Sequence, residues 1–141
     1  FVVKGAARAY TIDDRKGTEV TNWFWLEGDI IWALDSFCRK LPTRLHIQLL
    51  EDSVLQLVSR QDLEAAVIHY PQYRQLERAV TEAYHARFHR HYHLRVSRSV
   101  RERFQSLMER HPQLFHKASV KDIASFLGMF PDTLSRLRSE R

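Results

Sequence analysis

Between Val120 and Arg138 the chain concentrates side chains that can read a nucleic acid. An arginine such as Arg136 can donate two parallel hydrogen bonds to guanine O6 and N7, and an aspartate such as Asp132 can accept from a cytosine amino group. Thr133 and Ser135 suit bases or phosphates and Lys121 a phosphate, with Arg138 beside them. A second group, His85, His89 and His93, recurs every four residues, the spacing of metal ligands along one helix edge. Arginines flank these histidines and repel a cation, so a solvated edge is favoured over a metal site. The lone Cys38 excludes an internal disulfide and a four-thiolate cluster. There is no Gly-x-Ser-x-Gly, phosphate loop or zinc-hydrolase motif, so an enzyme is the least favoured class and no cofactor is expected.

The elements that must position the first group are legible in its apolar spacing. Ile123, Phe126 and Leu127 share one helical face. Gly128 suits the left-handed position that ends a helix, and Pro131 the first position of the next. Leu134 and Leu137 turn the second helix back onto the first, and small Ala124 permits a close crossing. This is the pattern of a helix-turn-helix, although an ordinary helical hairpin shares it. Charge favours the former. Residues 1–70 hold eight Lys/Arg against ten Asp/Glu, and residues 71–141 fourteen against seven, so the net +5 belongs to the C-terminal half. A basic half favours a phosphate-bearing partner.

Upstream, Phe1 to Ile12 and Thr18 to Leu26 read as two strands of a hairpin around the polar turn at Asp13–Gly17. Glu27-Gly28-Asp29 is a further turn, and Ile31 to Phe37 can hold one helical turn. Leu45, Ile47 and Leu49 alternate with Arg44, His46 and Gln48, predicting a strand whose first set is buried. Val54, Leu55 and Leu57 suggest a last short strand. Arg60 to Tyr70 reads as a short helix. From Pro71 to about Arg95 no glycine or further proline intervenes, which predicts one helix of roughly 25 residues, about 37 Å long. Such a length calls for a partner helix, and Tyr73, Leu76, Val80, Tyr84 and Phe88 are its candidate dimerisation residues. Ser99 starts another helix, ending near His111-Pro112. The longest apolar run, Trp23 to Leu26, is far too short to cross a bilayer. A single cysteine fits a reducing, cytoplasmic setting.

This order of elements resembles the Crp–Fnr family of bacterial transcription regulators. The resemblance is carried by Ile123-Ala124-x-x-Leu127-Gly128 followed by Asp132-Thr133-Leu134-x-Arg136-Leu137. More loosely, it is carried by Trp23-x-x-x-Glu27-Gly28-Asp29-Ile30-Ile31 and the Glu51-Asp52-Ser53 turn. It implies an α+β chain: a partial antiparallel β-roll of the cyclic-nucleotide-binding kind (1–70), a long dimerisation helix (71–96) and a winged helix-turn-helix (97–141). It further implies roll strands ahead of Phe1 and a wing beyond Arg138. By resemblance, Pro131–Arg138 is the recognition helix, Arg136 stands at a base-reading arginine and Asp132 at a glutamate. The implied partners are palindromic double-stranded DNA, a second copy of the chain and RNA polymerase. Phe130 departs from the pattern at the cap, where Ser, Thr or Asp would satisfy orphan N–H groups; a hydrophobic staple is one account of it.

Nucleotide-binding members of that family cradle the sugar and phosphate with Gly-Glu and Arg-Ser pairs. Here Trp32-Ala33 replaces the first, and Pro42-Thr43-Arg44 is the nearest approach to the second. Strand parity directs Thr43 inward with Leu45 and Arg44 outward. Cyclic AMP is therefore not the expected ligand, and Trp32, Asp35, Thr43 and Arg44 remain the candidate contacts for some other effector. The alternative is a roll-type sensor or scaffold that keeps the fold and has lost sequence-specific DNA binding.

Overall fold

The computed structural model describes every residue except Leu34, Asp35, Cys38, Arg39 and Arg141. The described strands are β1 (Val2–Lys4), β2 (Ala6–Ile12), β3 (Glu19–Leu26), β4 (His46–Leu49) and β5 (Val54–Leu55). The described helices are α1 (Arg60–His69), α2 (Tyr73–Ser97), α3 (Val100–Arg110), α4 (Leu114–Lys117), α5 (Val120–Leu127) and α6 (Pro131–Ser139). The class is α+β, as expected. Two compact units result: Phe1–Gln56 together with Ser99–Arg141, and Leu57–Arg98.

β2 and β3 form the expected hairpin, antiparallel from Ala6 opposite Leu26 to Ile12 opposite Glu19, with a bulge after Ala9. Its turn is built by Asp13, whose Oδ1 accepts from the backbone N–H of Arg15 (2.9 Å) and of Lys16 (3.1 Å). β4 pairs with the other edge of β2, giving the order β3-β2-β4. The first segment is not one strand. It breaks at Gly5, where φ is +109° and a Cβ would lie 2.1 Å from Ser53 Oγ. Glycine alone tolerates both, and the break sends β1 to a separate ladder with β5.

The predicted burial of Leu45, Ile47 and Leu49 is not observed. Leu45 is half-buried, while Ile47 and Leu49 are 46% and 45% exposed. Alternation fixes which residues share a face but not whether anything covers it. Leu57, placed by sequence in the last strand, lies outside it and is 85% exposed.

β3 supplies the aromatic core: Trp23, Phe24, Trp25 and Leu26 are all buried. The helices after Ser99 close over it. Phe126 meets Phe24 and Trp23 edge-on, with ring centroids 5.2 and 6.3 Å apart. Ser99 opens α3 through a capping box: its Oγ accepts from Glu102 N, and its own N–H donates to Glu102 Oε2 (2.8 Å). Sequence periodicity missed α4. It is four residues long, too short to show a period, yet it buries Leu114 and Phe115.

In the other unit, α2 runs 25 residues, close to the predicted span. No residue of α1 or α2 is fully buried. Burial, reinforced by the positive Arg95, lowers the His91 imidazole to about 4. Burial raises the Tyr84 phenol, against the opposing pull of Arg87. At pH 6 His91 therefore stays neutral in the folded chain, while an unfolded chain binds a proton at an ordinary imidazole. Stability from this group is full above pH 6.5 and is lost as pH falls toward 4. Melting temperatures measured across pH 7 to 4.5 should drop less for His91→Gln than for the parent. Equal slopes would refute the assignment. No described helix is long and apolar enough to cross a membrane.

Candidate nucleic-acid interface

α5 begins at Ser119, whose Oγ accepts from Asp122 N at 3.1 Å. It ends at Gly128, left-handed at φ 66° and ψ 48°, where the predicted glycine stop is found. Pro131 occupies the first turn of α6, again as expected. Ile123, Ala124 and Leu134 have no solvent exposure, and Leu127 and Leu137 are buried with them. The apolar pattern has thus folded two short helices around a tight turn, with the polar side of α6 left outside.

The sequence-predicted reading residues fall on that outer side. Asp132, Ser135, Arg136 and Arg138 are exposed on α6, Lys121 is exposed on α5, and Thr133 is half-buried. The Arg136 side chain is 71% exposed and pairs with Glu140 at 3.9 Å. Arg138 is less free than its position implied, since its guanidinium lies over the Phe115 ring, 5.8 Å from the centroid. Phe130 is no hydrophobic staple. It is 81% exposed, and no side chain caps α6.

Behind this surface lies a polar cluster that the sequence reading overlooked. Arg8 on β2 is 5% exposed, and all three guanidinium nitrogens are engaged. Nε donates to Gln48 Oε1 at 2.7 Å, and one terminal nitrogen ion-pairs with Glu19. The other reaches Thr21 Oγ1 and ion-pairs with Asp122. The Tyr10 ring lies 4.5 Å from its carbon and stacks in turn on His46. The Thr21 N–H donates to Ser125 Oγ at 2.9 Å, and Lys117 ion-pairs with Glu51 of the Glu51-Asp52-Ser53 turn. Strands and helix-turn-helix are therefore joined by charge as well as by the Phe126 contact. A lone arginine in Ala6-Ala7-Arg8-Ala9 was the available signal, since small neighbours leave room for a buried guanidinium.

The described candidate effector residues differ in their surroundings. Trp32 is buried against Phe37, ring centroids 5.6 Å apart. Thr43 is exposed rather than turned inward, and its Oγ1 accepts from Leu45 N at 3.1 Å. The parity argument fails there because the β4 face it relied on is uncovered. Arg44 is exposed and pairs with Asp14 at 3.0 Å. Asp35 lies outside the described residues. No cluster of three or more metal-binding side chains occurs among the described residues, His85, His89 and His93 included.

No family model matches the sequence, and no curated protein matches it. Solved structures do. FixK2 from Bradyrhizobium japonicum superposes with a TM-score of 0.80 at 27% identity, covering 99% of this chain and 71% of that one. A Crp/Fnr-family protein from Eubacterium rectale gives 0.74 at 15% identity over 99% and 66%. CLP, the c-di-GMP-responsive global regulator of Xanthomonas campestris, gives 0.71 at 13% over 99% and 74%. Across its length this chain has the fold of these Crp–Fnr-type regulator structures.

Proposed function

We propose that the protein is a homodimeric, sequence-specific DNA-binding regulator that reads a palindromic operator through α6. The observation that carries this reading is the arrangement of α5 and α6. Their buried faces are complete without a partner, while Asp132, Ser135, Arg136 and Arg138 stand exposed along one short helix. Such a helix fits the major groove, and its arginine matches the guanine edge. Self-association is supported by α2, where Tyr73, Leu76 and Phe88 are 39%, 55% and 54% exposed. Of the candidate seam, only Val80 and Tyr84 are half-buried in the single chain. Two copies would place their reading helices about 34 Å apart, one DNA turn. An effector other than cyclic AMP fits the roll residues better, because Trp32 is buried where a Gly-Glu pair would be needed.

The test is site selection from random duplexes, followed by a salt series on the enriched sequence. The parent protein should enrich a palindrome and lose affinity steeply with salt. Arg136→Ala should cost about 1–3 kcal/mol on that site and relax preference at one base pair in each half. Failure to enrich any motif would favour a sensor that keeps the fold without reading DNA.

A further inference from the structure

The aromatic at the head of α6 has no role within the fold. Phe130 is 81% exposed on a helix that lacks a side-chain cap. Glutamines open α2 and α4 without a side-chain cap, but Ser59, Ser99 and Ser119 each accept a hydrogen bond from the first turn of α1, α3 and α5. At α6 alone among these helices a large apolar group stands where a serine would serve. Pro131 follows it, fixing the backbone at the first turn and holding the ring's attachment point in place.

Resting on the DNA-reading function proposed above, we propose that Phe130 is a specificity-determining residue that packs against the C5-methyl group of a thymine. The N-terminal residues of a recognition helix are the ones that reach base edges. On the major-groove edge, thymine carries the apolar group, and phenylalanine is among the side chains that contact it. Phe130 is continuous with the exposed Asp132 and Arg136, and Arg136, Arg138 and Lys121 provide the positive field that brings a duplex to this surface. Asp132 and Arg136 discriminate by hydrogen bonds. Phe130 adds a contact that polar side chains cannot make, at the outer end of the same helix.

The experiment uses the full chain and its selected duplex. Each thymine of the site is replaced singly by deoxyuridine, which removes the methyl group and leaves the hydrogen-bonding edge unchanged. At one thymine per half-site the parent should bind about fourfold more weakly, the scale of one buried methyl group. Phe130→Ser should bind thymine and deoxyuridine equally there, with an unchanged melting temperature and an unchanged response to Arg136→Ala. Equal binding of the two bases by the parent at every position would overturn the proposal. So would a deoxyuridine penalty that survives in Phe130→Ser, or a loss in Phe130→Ser that is the same on all sequences. If the Arg136-dependent preference is intact in those cases, only the Phe130 inference falls. If the parent selects no sequence at all, both readings fall together.

Discussion

Replacing Arg8 with methionine will lower the unfolding free energy by about 3 kcal/mol, read from urea midpoints at constant slope. The guanidinium is buried and fully engaged, so its removal strands two carboxylates that it now balances. The low end of the range for breaking a buried pair applies. Glu19 is 39% exposed and can rehydrate, and Asp122 keeps its bond to the Ser119 hydroxyl at 2.7 Å. Adding Asp122→Asn to the methionine variant should recover part of the loss, because the stranded charge nearest the core is then gone. If the double variant is as unstable as the sum of the singles, the two side chains are not coupled. Circular dichroism should show both elements melting in one transition, since the cluster spans strands and helices.

Leu134→Ala should cost about 3 kcal/mol, within the range for large-to-small changes at fully buried sites. Leu134 has no exposed surface and belongs to the same core as Ile123 and Ala124, which have none either, so the vacated volume has little freedom to collapse. DNA binding should fall with the folded fraction and recover at lower temperature. Arg136→Ala should show the opposite behaviour: an unchanged melting temperature and a binding loss at every temperature. Similar thermal behaviour in the two variants would mean that α6 is not organised as described.

These sites differ in how openly the sequence displayed them. Gly128, Pro131 and the spacing of Ile123, Phe126, Leu134 and Leu137 are local signals, complete within twenty residues. The turn they encode was therefore legible. So was the β2–β3 hairpin, announced by a polar turn between aromatic and β-branched runs. The break at Gly5 was hidden because its cause is Ser53, distant in sequence and adjacent only in space. Arg8 was hidden for the same reason: its partners Gln48 and Asp122 are 40 and 114 residues away. Asp122 also had a sufficient local explanation, as the third residue after a serine cap, which masked its second oxygen's longer reach. The β4 face shows the reverse failure. A clean alternation at Leu45, Ile47 and Leu49 suggested burial, but periodicity carries no information about the covering layer. Phe130 was visible as a departure, and only its exposure separated a staple from an outward-facing ring.

The contact of Phe126 with Trp23 and Phe24 also sets an order of events during synthesis. The hairpin leaves the ribosome with its aromatic side uncovered, and its cover is encoded about a hundred residues later. At 5–20 residues per second, those two rings wait about 5–20 s before Phe126 emerges. That interval is when a nascent chain is most exposed to aggregation or to capture by a chaperone. Moving the C-terminal helices to a permuted position directly after β3 should shorten the wait and raise the yield of folded protein, with the final contacts unchanged.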